Sequence, residues 1–178
     1  AECGVDLILI ETMNDSYETK AALLAAKENC ELPVFVSNAY GEDEKLMTGA
    51  SPEAMSAMLE GMGADAIGVN CSLGPKQLSG VVKRLLKCSS VPILLKPNAG
   101  LPKSVDGRTV YDVLPDEFAE DVAGQIADGV RVAGGCCGTT PEYIRTLTER
   151  ASGIKPVPVT EKNIMCVSSY THTVEFGG

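Results

Sequence analysis

The most constraining feature of this sequence is a series of five short apolar runs, separated by segments with helical periodicity. The runs are rich in valine, isoleucine and leucine and cover residues 5–10, 33–37, 66–69, 91–95 and 130–133. A run that is apolar on both faces is typical of a buried strand in a parallel sheet, because helices cover both sides of such a sheet. The order βαβαβαβαβα therefore predicts an α/β protein whose parallel strands are joined by right-handed crossovers.

The helical segments carry apolar residues three and four positions apart, which predicts that one face of each helix packs on the sheet. In the first helix this face holds Tyr17, Ala21, Leu24 and Ala25. In the second helix the face is rich in methionine, which is expected in the core of the protein. Ser51 is the predicted N-cap of that helix, and Pro52 stands in its first turn.

The composition is that of an ordinary globular protein and excludes several functions. The 178 residues include 15 Lys and Arg and 24 Asp and Glu, which gives a net charge of −9. This charge disfavours sequence-independent binding to nucleic acids, which needs a basic face. No apolar run reaches the roughly 20 residues that a membrane span requires, so no contact with a membrane is expected. The first residues lack a secretory signal and an initiator methionine, so we expect a piece of a longer, cytoplasmic protein.

Five strand-helix units fit either an open doubly wound sheet or a part of a (β/α)₈ barrel. A complete barrel takes about 250 residues, so this chain is too short to close one. No strand is followed by a glycine-rich nucleotide-binding loop, which weighs against the nucleotide-binding folds. Residues 153–178 lack helical periodicity and predict an extended linker, followed by a short strand over residues 168–176.

Three of the seven cysteines follow predicted strands: Cys71 follows the third run, and Cys136 and Cys137 follow the fifth. Because the carboxyl ends of parallel strands meet at one edge of the sheet, these cysteines are expected to lie close together. Three thiolates with an open fourth position describe a catalytic zinc site. The alternative is that they are small buried side chains. Thr139 or Thr140 is expected to cap the helix that follows them.

Other polar residues at the strand ends leave alternatives open. Glu11 either forms a salt bridge at the rim or clamps a substrate ammonium group, because an unpaired buried carboxylate is costly. Lys96 either pairs with an acid or forms a Schiff base with a carbonyl substrate, as in an aldolase. Asn98 is either a turn residue or a source of an amide oxygen for the site.

Several motifs together resemble those of the homocysteine S-methyltransferase family. They are Gly68-Val69-Asn70-Cys71, Gly134-Gly135-Cys136-Cys137-Gly138-Thr139-Thr140-Pro141, Pro97-Asn98-Ala99-Gly100-Leu101-Pro102 and Ile10-Glu11-Thr12. The resemblance runs from about residue 4 to residue 151. It implies that residues 1–152 are strands four to eight of a (β/α)₈ barrel, without strands one to three. The tail, residues 153–178, resembles the linker to a folate-binding domain in the cobalamin-dependent, methionine-forming branch of the family.

The resemblance also implies an activity and a set of site residues. Cys71, Cys136 and Cys137 would be zinc ligands, and Asn98 a resting-state ligand that homocysteine displaces. Glu11 would bind the amino group of homocysteine, and the backbone around Gly135 its carboxylate. Methylcobalamin would be the methyl donor, carried like folate on another module of the same longer chain. The alternatives are the aldolase with Lys96 and an inactive metal-binding fragment of a barrel.

Overall fold

The structure, a computed structural model, describes residues 2–176 and contains five parallel βα units. The strands are β1 (Ile8–Met13), β2 (Val34–Asn38), β3 (Ala66–Asn70), β4 (Ile93–Lys96), β5 (Pro102–Val105), β6 (Arg108–Tyr111), β7 (Val132–Ala133), β8 (Cys166–Ser168) and β9 (Thr173–Glu175). The helices are α1 (Ser16–Asn29), α2 (Pro52–Gly61), α3 (Pro75–Cys88), α4 (Pro115–Asp128) and α5 (Pro141–Ala151). The main sheet has the order β1-β2-β3-β4-β7, and all of its strand pairs are parallel. The predicted α/β fold is thereby confirmed, and the sheet is that of a partial (β/α)₈ barrel.

The hydrophobic core lies between this sheet and the helices that cover it. Val36, Ile67 and Leu95 of the central strands are at most 1% exposed, and Leu78 of α3 and Phe118 of α4 are fully buried against them. β3 and β4 approach each other so closely at Gly68 that a Cβ atom there would overlap the backbone carbonyl of Leu94. Since all five strands run the same way, their carboxyl ends form one rim.

The predicted methionine-rich face of α2 is confirmed by the burial of Met55, but the apolar face predicted for α1 is wrong. Tyr17 and Leu24 are exposed, whereas Ser16, Thr19 and Leu23 are the buried residues of α1. Thr19 can be buried because its hydroxyl donates to the carbonyl of Asp15 and accepts from Asn38 Nδ2.

The two predicted helix caps have different outcomes. Ser51 Oγ accepts a hydrogen bond from the N–H of Ala54 and caps α2, as expected. Thr140 occupies the N-cap position of α5, but its side chain makes no capping bond. Thr139 Oγ1 donates instead to the carbonyl of Cys136, so this hydroxyl fastens the preceding loop.

The sequence interpretation missed an antiparallel hairpin, formed by β5 and β6, between β4 and α4. Asp106 and Gly107 connect its strands with φ angles of 51° and 74°. Two central residues with positive φ are the signature of a type I′ turn, and Asp-Gly is a favoured sequence for it. The Asp-Gly sequence of this turn could therefore have predicted the hairpin.

The tail contains a second hairpin, β8 and β9, where a single strand was predicted. It packs on α1 and α2: the carbonyl of Thr171 accepts from the N–H of Ser51 at 3.2 Å, and Tyr170 Oη donates to Asp15 Oδ2 at 2.9 Å. Tyr170 also stacks on Tyr17, with ring centroids 4.6 Å apart. Within residues 2–176, no helix combines the length and the apolar character that a bilayer span demands.

Candidate metal centre at the carboxyl rim

The structure brings Cys71, Cys136 and Cys137 together at the carboxyl rim of the sheet. Their Sγ atoms all lie within 4.8 Å of one another, and those of Cys71 and Cys137 are 3.6 Å apart. These distances exceed the 2.05 Å of a disulfide bond, and all three cysteines are free. Within residues 2–176, no other group of three histidine, cysteine or carboxylate side chains converges in this way. The expected convergence of the three strand-end cysteines is therefore observed.

Local backbone conformation directs Cys71 into the cluster. Cys71 and the following Ser72 have φ angles of 63° and 61°, in the left-handed region. This conformation costs a residue with a side chain roughly 1–2 kcal/mol, and two such residues in a row turn the chain sharply at the end of β3. Backbone strain of this kind is concentrated at functional sites.

The loop after β7 is fastened to the loop after β4, and this fixes the other two cysteines. The N–H of Cys136 donates to the carbonyl of Pro97 at 2.8 Å, and the N–H of Cys137 donates to Asn98 Oδ1 at 3.0 Å. The carbonyl of Cys137 in turn accepts from the N–H of Ala99 at 2.9 Å. Two adjacent cysteines are thereby held with both sulfurs near Cys71.

The donor set and its spacing fit zinc. Zinc is bound by thiolates at about 2.3 Å in tetrahedral geometry, so two sulfurs on one ion lie about 3.8 Å apart. The 3.6 Å between Cys71 and Cys137 is close to that separation. Cys71 and Cys136 are half-buried and Cys137 is exposed, which leaves one side of the cluster open to solvent.

Glu11 and Lys96 form an ion pair beside the cluster, in which Lys96 Nζ donates to Glu11 Oε2. The side chain of Glu11 is 46% exposed and that of Lys96 is 17% exposed. The predicted salt bridge at the rim is therefore present, and Lys96 bonds to one of the two carboxylate oxygens of Glu11. Lys96 is therefore paired with an acid, which is the first of its two predicted alternatives.

Asn98 and Gly135 both lie in the loops around the cluster. Asn98 is 4% exposed and holds the backbone of Cys137, so it is more than a turn residue. The N–H groups of Gly134, Cys136 and Cys137 are bonded within the protein, but no described residue accepts from that of Gly135. Gly135 thus offers a free backbone donor at the rim.

The sequence interpretation assigned no role to Tyr111, Thr12 or Asn70, which also lie at the rim. The ring of Tyr111, at the end of β6, lies directly on Gly138, where a Cβ atom would overlap it. Desolvation and the neighbouring Cys137 thiol raise the pKa of Tyr111. Asn70 belongs to one of the motifs that carry the family resemblance. An asparagine that ends an apolar strand also indicates a polar contact by itself, because a buried amide needs hydrogen-bond partners.

The fold recurs in solved structures of a bacterial methyltransferase. The apo crystal structure of the homocysteine methyltransferase MmuM from Escherichia coli superposes with a TM-score of 0.69 at 25% identity, over 84% of this chain and 51% of that one. Its metallated form gives a TM-score of 0.68 at 24% identity, over 84% and 46% of the two chains. The chain thus spans about half of these neighbours.

Sequence comparison identifies the family. Methionine synthase from Mycobacterium tuberculosis is 37% identical over 158 residues, which cover 85% of this chain and 13% of that protein. Methionine synthase from Mycobacterium leprae is 38% identical over 148 residues, which cover 80% and 12%. The chain therefore spans only about an eighth of these relatives. A sequence model of the family described as homocysteine S-methyltransferase matches residues 1–151, and the chain belongs to this family.

Proposed function

We propose that this chain holds zinc through Cys71, Cys136 and Cys137 and takes part in methyl transfer to the sulfur of homocysteine, which gives methionine. The observation that carries the proposal is the convergence of the three Sγ atoms within 4.8 Å at one rim of the sheet. Family membership supports the substrate, and the metallated form of the Escherichia coli neighbour supports a metal. Zinc bound to three thiolates would lower the pKa of a substrate thiol and keep it as a nucleophile.

The residues around the cluster supply groups that suit an amino acid substrate. The Glu11 side chain is 46% exposed, and its Oε1, which Lys96 does not use, would accept a hydrogen bond from the substrate ammonium. The free N–H of Gly135 would donate to the substrate carboxylate. Asn98 would be a metal ligand only if its Oδ1 used a second lone pair, because that atom already accepts from Cys137.

The methyl donor and the other modules lie outside this chain in our proposal. Because the chain spans about an eighth of the methionine synthases that it resembles, we propose that it belongs to a longer protein. Methylcobalamin and folate would be bound by other modules of that protein, beyond the linker and tail of residues 153–178. Seven free cysteines favour a reducing compartment, which we take to be the cytoplasm.

The test is the zinc content of the full 178-residue chain, purified under reducing conditions, beside three variants. We expect one zinc per chain in the original protein and in Cys30→Ala, whose sulfur donates to a helix carbonyl far from the rim. Cys71→Ala and the double variant Cys136→Ala/Cys137→Ala are expected to lose it while remaining folded. Retention of one zinc in Cys71→Ala would refute the proposed ligand set.

A second assay separates the enzyme from an inactive metal-binding fragment. Methylcobalamin and homocysteine are added to the zinc-loaded chain, and methionine is measured by mass spectrometry. Methionine that forms with the original protein and not with Cys71→Ala supports the activity. Zinc without methionine would support the fragment alternative instead.

A further inference from the structure

Asn70 is the residue that joins the end of β1 to the cysteine cluster. It is fully buried at the end of β3. Its Oδ1 accepts from the N–H of Thr12 at 2.8 Å, and its Nδ2 donates to Thr12 Oγ1 at 2.7 Å. The same Oδ1 also accepts from Ser37 Oγ at 2.6 Å. One amide group therefore ties together the carboxyl ends of β1, β2 and β3.

The same amide reaches one of the three cysteines. Asn70 Nδ2 lies 3.8 Å from Cys136 Sγ, within range of a hydrogen bond to sulfur. Cys136 belongs to the loop after β7, so this bond spans from the third strand to the far edge of the sheet. Asn70 thus contacts both Thr12, which follows Glu11, and Cys136.

The backbone is strained at Thr12 and at the residue that directly follows Asn70. Thr12 has a φ angle of 61° and Cys71, which follows Asn70, has a φ angle of 63°. Residues with side chains keep such conformations only where their surroundings enforce them. For Thr12, the two hydrogen bonds to the Asn70 amide provide that enforcement.

We propose that Asn70 is a positioning residue, whose amide fixes the distance between the Glu11 carboxylate and the cysteine cluster and orients the Cys136 sulfur. The inference rests on the proposed function, in which Glu11 binds the substrate and Cys136 binds zinc. Hydrogen-bond partners of metal ligands set ligand orientation, and their loss typically lowers metal affinity 10–100-fold.

The main comparison is between Asn70 and Asn38, a second buried asparagine at a strand end. Asn38 is 1% exposed, and its Nδ2 donates to the carbonyl of Met13 and to Thr19 Oγ1, but it has no contact with a cysteine. Asn70→Ala and Asn38→Ala thus both remove a buried amide next to β1. Asn70→Asp is a third variant that keeps the side-chain volume and the acceptor for Thr12 and Ser37, but it replaces the donor with a carboxylate oxygen and so adds a buried negative charge beside Cys136.

Zinc affinity of the full chain is measured by competition with a chromophoric chelator. We expect Asn70→Asp and Asn70→Ala to bind zinc about 10–100-fold more weakly than the original chain. Asn38→Ala is expected to stay within about twofold. The proposal is overturned if folded Asn70→Ala and Asn38→Ala bind zinc with equal affinity.

A metal-independent measurement separates this inference from the proposed function. In the metal-free chain, the rate of alkylation of Cys136 by iodoacetamide is followed by peptide mass spectrometry, with Cys30 as the internal reference. Loss of the Asn70 amide is expected to raise the relative rate at Cys136 severalfold in Asn70→Ala and not in Asn38→Ala. Such a result supports the positioning role even if the chain binds no zinc, in which case only the proposed function fails. Equal rates in the two variants would overturn the positioning role.

Discussion

The middle of the sheet and its carboxyl rim are built from the same five strands and differ in what holds them together. In the middle, Val36, Ile67 and Leu95 are buried among the helices. Burial of their apolar surface stabilises the fold by about 25 cal/mol per Å². At the rim, buried amides, an ion pair and left-handed backbone replace apolar contacts. The middle therefore supplies stability on which the strained rim depends. It follows that variants in the middle should change stability and spare metal binding, whereas variants at the rim should weaken metal binding.

The largest effect is expected from Gly68→Ala, in the middle of the sheet. A Cβ atom at Gly68 would overlap the backbone of Leu94, and the backbone cannot yield without separating β3 from β4. We expect the free energy of unfolding in urea to fall by about 4 kcal/mol or more. The matched control is Gly134→Ala, because a Cβ there would meet only the Lys96 side chain, with Cγ at 3.4 Å and Cδ at 3.6 Å, which are ordinary contacts. Equal stability of the two variants would contradict the close approach of β3 and β4.

Leu78→Ala tests the separation of the two regions more directly. Leu78 of α3 is fully buried, and truncation of such a leucine costs about 2–5 kcal/mol. We expect this loss in urea unfolding of the metal-free chain, together with an unchanged zinc affinity of the folded protein. Leu24→Ala, on the exposed face of α1, is the control and should change stability by less than about 0.5 kcal/mol. A Leu78→Ala protein that is folded and binds zinc poorly would show that metal binding at the rim depends on packing in the middle of the sheet.

The middle of the sheet and the cysteine cluster could be predicted from the sequence because both follow from local patterns. All five apolar runs form parallel strands, and those of β2, β3 and β4 are buried as predicted. The first run was wrongly expected to be buried: β1 lies at the edge of the sheet, and Leu9 is 40% exposed. Once the strands are parallel, their carboxyl ends share a rim, so Cys71, Cys136 and Cys137 were expected on the same side of the sheet. Their position after their strands and the family resemblance together indicated the cluster, although Cys71 and Cys136 are 65 positions apart in the chain.

The hydrogen bonds of the rim could not be predicted in the same way, because each depends on the exact relative placement of distant residues. Thr12 and Asn70 are 58 residues apart, and Glu11 and Lys96 are 85 residues apart. Register decides which side chains meet, and the apolar runs do not encode it. The exposed face of α1 was missed for a related reason: two of its three buried residues, Ser16 and Thr19, are polar, and the Thr19 hydroxyl is satisfied by Asn38 of the neighbouring strand.

The smallest effect is expected from a polar contact that belongs to neither region. Arg84 of α3 binds Glu53 of α2 through two hydrogen bonds of 2.7 and 2.6 Å, and the hydrogen bond from Arg84 holds the pKa of Glu53 below its usual value. Since the side chains of both residues are about one third exposed, Arg84→Gln should lower the free energy of unfolding at pH 7 by at most about 1 kcal/mol. Urea unfolding at pH 7, 5 and 3 measures this difference.

The pH dependence identifies the source of this contribution. A carboxylate whose pKa is lowered by folding stabilises the protein above its unfolded pKa, near 4.3, and this stability is lost as the pH falls through the folded pKa. The difference between the original chain and Arg84→Gln should therefore be full at pH 7 and shrink towards pH 3. Arg150→Gln, whose partners Asp116 and Glu120 are largely exposed, is the control and should show little difference at any pH. A difference that persists at pH 3 would mean that the Arg84 stem contributes by packing, as core residues do, and not by its charge.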